Sequence, residues 1–175
     1  MDFWIVAIDH ELQLERDPSD PSDRKLQKDQ LEALLKAEIP KREVRFIAEE
    51  SKPGKATIAS VLGSASIPQI PWKNISMTDA ERAAAGIAEA LKNRPGHPDY
   101  ETMGIWIESR IPEDDVREDF FIEETIRGAG DAQSILMLLG DMHVDAVAAK
   151  IGKLGHRVST SYALIPMKRW EDRGR

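Results

Sequence analysis

The chain contains no cysteine, which excludes disulfides, a thiolate nucleophile and cysteine-ligated zinc. Any metal must be held by His, Asp or Glu. No apolar stretch reaches the ~20 residues that a membrane-spanning helix needs, so a helical membrane protein is excluded. A basic excess is missing too. The 24 Lys and Arg face 31 Asp and Glu, a net charge of −7, whereas affinity for a phosphate backbone comes from clustered cations. Nucleic acid is therefore a disfavoured partner. The first residues, Met1 to Ile8, lack a basic leader region and meet Asp9, His10 and Glu11 before any small-residue cleavage site. They read as a first strand, and a cytoplasmic location is the expectation. Internal repeats and low-complexity tracts are also absent. What remains is 175 residues, 41% hydrophobic, enough for one globular domain that hides roughly 70% of its unfolded surface. We assign that domain to residues 1–165 and a basic C-terminal tail to residues 166–175.

Three apolar runs have strand length and do not alternate: Phe3 to Ile8, Val44 to Ala48, and Ser134 to Leu139. Such runs suit strands covered on both faces. A fourth, Arg157 to Leu164, is rich in β-formers after the turn-like Gly155 and is expected to close one sheet edge. Leu26, Leu31, Leu34 and Leu35 follow a Pro- and Asp-rich loop at helical spacing. The proline-bearing stretch Gly63 to Asn74 reads as an extended connection. Thr78 and Glu81 form a capping box that starts a helix to Leu91. Tyr100 to Ser109 reads as a helix, and Pro112 with Glu113, Asp114 and Asp115 opens another to about Arg127. Asp141 is expected to cap a last helix through Leu154, ended by Gly155. Strands interleaved with helices predict an α/β fold with a mainly parallel central sheet of about four strands flanked by helices.

The polar residues that follow the first three strands are the informative ones: Asp9-His10-Glu11, Glu49-Glu50, and Gly140-Asp141-Met142-His143. Parallel strands deliver all three clusters to one rim, where open α/β sheets place ligands. His10, one of Glu49 and Glu50, and His143 are thus expected around one pocket. Two histidines and a glutamate with one open position are the ligands of a hydrolytic divalent metal, which lowers the pKa of its bound water. His10, Glu49 and His143 are the candidate ligands, and zinc, manganese or nickel the candidate ion. No local zinc signature such as H-E-x-x-H is present, because the ligands come from different strands. Lys52-Pro53-Gly54-Lys55-Ala56-Thr57 is not a phosphate loop: Glu49 stands at its first glycine and Ala56 where Ser or Thr must meet magnesium. His97 and His156 read as loop residues.

The segment Ile135-Leu136-Met137-Leu138-Leu139-Gly140-Asp141-Met142-His143, followed by an amphipathic helix and Leu154-Gly155-His156-Arg157-Val158, resembles a known pattern. It is similar to the last strand, G-x-x-H and helix of the superfamily of erythromycin esterases, ChaN-type haem-iron proteins and TraB/Tiki proteins. In that superfamily a first strand ends in a histidine motif, matched by Ala7-Ile8-Asp9-His10. A second strand ends in an acidic residue, matched by Glu49-Glu50, and an arginine-led helix is matched by Arg117-Glu118-Asp119-Phe120-Phe121-Ile122. The resemblance spans about Phe3 to Val158. Ala7 replaces the usual glycine, Ile8 stands where esterase and ChaN-type members carry glutamate, and the helical insertion is reduced to Trp72 through Ser109.

The expected activity is hydrolysis of a small molecule or peptide, with His10, Glu49, Glu50 and His143 activating water and Arg117 stabilising oxyanion charge. A second role for Arg117 is an ion pair on its own helix with Glu113 or Glu118. The competing functions are binding of a metal chelate or small anion without turnover, and a regulatory domain with a vestigial site, which the Ala7-Ile8 departure favours. The expected partner is a small molecule, not a membrane.

Overall fold

The fold is that of a computed structural model, which describes residues 1–14, 19–52, 54–87 and 112–162. In chain order the elements are β1 (Asp2–Ile8), α1 (His10–Gln13), α2 (Ser22–Lys41), β2 (Phe46–Glu49), α3 (Ile58–Ala65), β3 (Trp72–Asn74), α4 (Asp79–Ala84), α5 (Pro112–Ala129), β4 (Ser134–Gly140), α6 (Asp141–Lys153) and β5 (Arg157–Ser161). The five strands form one sheet in the order β3-β2-β4-β1-β5, every pair parallel. The architecture is therefore α/β with helices on both sheet faces, and it has one strand more than the sequence predicts. No described helix is long and apolar enough to cross a membrane.

The non-alternating runs are the middle of the sheet. Phe3 to Ile8 of β1 and Ile135 to Gly140 of β4 are all buried, as strands with helices on both faces must be. Successive side chains point to opposite faces. Phe3, Ile5, Ala7, Phe46, Ala48, Ile135, Met137 and Leu139 pack with Phe121 and Ile122 of α5 and Val144, Val147 and Ile151 of α6. Trp4, Val6, Ile8, Ile47, Leu136 and Leu138 pack with Leu31, Leu35 and Ile39 of α2 and Ile58 and Ala59 of α3. Of the leucines spaced helically in the sequence, Leu31 and Leu35 lie in the buried stripe of α2 with Ile39, and Leu34 packs partly against it. Leu26 is exposed, because the stripe at that end passes through Lys28 instead.

Helix boundaries follow local chemistry. The Thr78 box forms, with Glu81 N–H donating to Thr78 Oγ1 (3.2 Å) and Thr78 N–H to Glu81 Oε2 (2.7 Å). This helix closes earlier than expected, at Ala84, where Gly86 takes a φ of 74°. Its expected extension to Leu91 and the Tyr100 to Ser109 helix fall outside the described residues. A corresponding box, Thr57 with Ser60, starts α3, which the sequence did not announce. The stretch read as an extended connection ends in β3, whose Trp72 pairs with Ile47. The last helix is capped by Gly140, not by Asp141, and no side chain caps it. β4 runs to Gly140, so the chain turns there and Asp141 is already the first helical residue. Gly155 ends the turn after α6 with a φ of 84°, a conformation that a side chain would strain.

Gly63 of α3 is held where no Cβ fits. A Cβ there would stand 2.9 Å from the Ile70 carbonyl oxygen and 3.3 Å from Ile47 Cδ1, because the chain folds back on α3 before entering β3. Gly152 of α6 has nothing within 4 Å of its Cβ position. In urea unfolding, Gly63→Ala is expected to lower stability by about 1–3 kcal/mol. Gly152→Ala is expected to raise it by up to ~1 kcal/mol.

Candidate functional site at the carboxyl rim of the sheet

β2 is followed by α3 on one face of the sheet and β4 by α6 on the other, so a crevice opens between their carboxyl ends. Glu50, the first residue past β2, fills it. Its Oε2 accepts the Gly140 N–H (3.1 Å) and its Oε1 accepts from Arg117 Nη2 of α5 (2.7 Å). Glu50 is 4% exposed, and a carboxylate so far from water is held by hydrogen bonds and an opposite charge. Arg117 also lies 3.5 Å from Asp114 Oδ1, one turn back on α5, and its guanidinium sits over the Phe121 ring. Its strongest partner is thus across the crevice. The helical partner is Asp114, where the sequence suggested Glu113 or Glu118.

Behind Glu50 stands His143, in the first turn of α6 and 4% exposed. Its Nε2 is 4.0 Å from Glu50 Oε1, its Nδ1 is 3.2 Å from Glu118 Oε1, and its ring meets Phe121 edge to face. The fully buried Glu118 is reached from the other side by Lys150 Nζ, 3.3 Å from Oε2. Burial lowers the pKa of Lys150, but its bonds to Asp119, Asp115 and Glu118 outweigh that and raise it. Lys150, Glu118, His143, Glu50 and Arg117 therefore form one continuous polar array across α6, α5 and the end of β2. Lys150 was not singled out in the sequence and Glu118 only as a helix neighbour of Arg117, since both look like ordinary charges of amphipathic helices. In the sequence Glu118 directly follows Arg117, and Lys150 lies at i+7 from His143 on one face of α6.

Glu49 lies on the opposite face. Its Oε2 accepts from Thr57 Oγ1 (2.5 Å), the N-cap of α3, and from Trp72 Nε1 (2.6 Å) of β3. Its buried Oε1 has no hydrogen-bond partner. Burial pushes the Glu49 carboxyl up to about 7, against the Thr57 and Trp72 bonds, which act to lower it. Consecutive residues thus supply one carboxyl poised near neutrality and one engaged by a cation. The structure brings Glu50, Arg117 and His143 together and sets Glu49 apart from them. His10 begins α1 at the same rim, where Gln13 Nε2 donates to the Glu50 carbonyl (2.8 Å); the His10 side chain lies outside the described residues. Among the described residues no group of three His, Asp or Glu is placed to hold a metal ion.

Glu50 and Arg117 also wall a cleft of about 590 Å³, with Ser51, Lys52 and Arg82 and the 76–79 segment that leads into α4. His143 lies behind this wall and not on it. Neither family models, nor curated proteins, nor solved structures show a match to this chain.

The Glu49 carboxyl gives the protein a pH signature. Its folded pKa, about 7, lies above the unfolded 4.5, so between these values the folded state binds more protons and stability falls as pH rises. Relative to Glu49→Gln, wild type is expected to lose stability progressively from pH 4.5 to 7 and no further above it. Thermal melts of both proteins across that range check this, and parallel curves would show that Glu49 does not titrate there.

Proposed function

We propose that the chain hydrolyses a small molecule held in the cleft at the β2–β4 crevice, with Glu50 as the group that meets the reacting centre. What carries the reading is the buried polar array that ends on the cleft wall. Burying ionisable groups is costly unless they are paired, and a string of them reaching one cleft marks a functional site more often than a structural one. Glu50 takes a proton from a cleft water as the water oxygen bonds to the reacting centre, and returns that proton to the leaving oxygen as its bond to the centre breaks; His143 Nε2, 4.0 Å behind Glu50 Oε1, positions the carboxyl. Glu118 holds the imidazole by its Nδ1 and so fixes which nitrogen faces Glu50. Arg117 stabilises negative charge on the attacked oxygen. The resemblance to the erythromycin esterase, ChaN and TraB/Tiki superfamily supports the same rim and the same arginine.

A divalent ion held by His10, Glu49 and His143 fits this geometry poorly. Glu49 and His143 sit on opposite faces of the sheet, and the carboxylate beside His143, that of Glu50, is already engaged by Arg117. No step here runs through a metal. One observation favours a second reading, binding without turnover: both Glu50 oxygens already accept hydrogen bonds, which makes Glu50 a firm structural acceptor.

Turnover of simple carboxylic and phosphoric esters separates the two. Glu50→Gln is expected to lower kcat by roughly 100-fold or more, with a smaller loss for His143→Asn. Binding of the same esters with no turnover by wild type would establish the second reading. Stoichiometric zinc, manganese or nickel in the purified protein, lost in His143→Ala, would overturn the metal-free reading.

A further inference from the structure

The cleft wall carries more positive charge than the rest of the molecule leads one to expect. The chain has a net charge of −7, yet the cleft is lined by Lys52, Arg82 and Arg117 against two carboxylates, Glu50 and Asp79. One of those, Glu50, is already bound to Arg117. Arg82 differs from Arg117 in that no carboxylate among the described residues is paired with it. Its Nε is buried and has no hydrogen-bond partner, and among the described residues Arg82 forms no ion pair. A buried donor left unmade is costly, more so on a charged group. Arg82 sits on α4, which the reciprocal Thr78–Glu81 box fixes in place.

A second polar group on the same wall is in the same condition. Ser51 is 4% exposed and its Oγ has no partner. Its backbone, by contrast, is fully engaged: Ser51 N–H donates to Asn74 Oδ1 (3.4 Å), and its carbonyl accepts from Asn74 Nδ2 (2.9 Å) and Ser76 Oγ (2.9 Å). These bonds tie the residue after Glu50 to the end of β3 and leave only the hydroxyl uncommitted. Two residues that line one cleft, one cationic and one neutral, thus each carry a buried polar atom without a hydrogen-bond partner among the described residues. The chemistry that satisfies both is an oxygen anion, since a guanidinium and a hydroxyl both donate and a carboxylate or phosphate oxygen accepts from each.

We propose that the cleft binds its ligand by an oxyanion, a carboxylate or a phosphate group, held by Arg82 and Ser51 beside Glu50 and Arg117. The inference rests on the cleft being the site of the proposed function, and it names the chemical class of the ligand. Lys52, exposed at the mouth, adds long-range attraction. The anion sits next to the Glu50–Arg117 pair, so the bond to be hydrolysed lies close to the anionic group of the ligand.

Calorimetric titration of the full chain with inorganic phosphate and with succinate tests this and tells the two sources apart. Wild type is expected to bind one of them, Arg82→Gln to bind it roughly tenfold or more weakly, Ser51→Ala to lose less, and Arg82→Lys to recover part of the loss. Thermal melts of the variants show whether each is folded at the titration temperature. Binding of neither anion by wild type, or undiminished binding by folded Arg82→Gln, overturns the inference. Glu50-dependent turnover of an uncharged ester without anion binding would overturn it while leaving the acid–base reading standing. Arg82-dependent anion binding without any ester turnover would do the reverse.

Discussion

The arrangement of the rim depends on where one carboxylate is buried. β2 ends at Glu49, opposite Leu138, while β4 continues to Gly140. The last amide of β4 would have no strand partner on that side. Glu50 supplies one, and in doing so brings a carboxylate into a largely desolvated place on the cleft wall. That charge in turn requires a cation, which fixes the facing side of α5 at Arg117, and the imidazole of α6 comes to rest behind it. Two strands and two helices are thus tied by a single side chain. Such a tie gives the crevice a defined width, which hydrophobic packing alone, being non-directional, would specify less sharply.

The two faces of the sheet solve the same problem differently. On the α5 and α6 face, charge is balanced by charge, from Lys150 through Glu118 to Arg117. On the α2 and α3 face no cation among the described residues approaches Glu49; the indole of Trp72 and the hydroxyl of Thr57 offer only neutral donors, and desolvation pushes the carboxyl up to about 7. The difference comes from the secondary structure that arrives at each place. A long amphipathic helix presents basic and acidic residues every turn, whereas the short α3 and the edge strand β3 present a cap and an aromatic ring.

Those differences also explain what could be read in the sequence. The central strands were legible because continuous apolar runs of strand length have few other uses, α2 and α6 because apolar residues recur at helical spacing, and α5 because Pro112 and an acidic first turn mark its start. The box at Thr78 was legible because its third residue is glutamate; the one at Thr57 was not, because Ser60 takes that place and serine has many roles. β3 escaped because three residues carry no period. For the site, chain order alone placed the end of β2 and the start of α6 on one rim, and alternation would have separated Glu49 from Glu50 had the strand's last residue been known. The resemblance suggested that Arg117 serves the rim, but not its partnership with Glu50, 67 residues away. The helix spacing pointed only to neighbours on α5.

The placement of two acids back to back at the end of β2 has a consequence for how the gene can change length. Side chains alternate with a period of two, so a one-residue insertion within β2 would carry Glu49 into the place of Glu50, and a deletion would carry Glu50 into the place of Glu49. A deletion would thus set the Glu50 carboxyl between the neutral donors Thr57 and Trp72, and an insertion would set the Glu49 carboxyl beside Arg117 and His143. Neither place would suit its new occupant, though the chain would still be hydrophobic in the right proportions. Lengthening is far cheaper after Ser51, where residues 52 and 54–56 are exposed and loop closure grows only slowly with length. The strand is therefore fixed to the residue by electrostatics, and the loop beside it is where this part of the protein can vary.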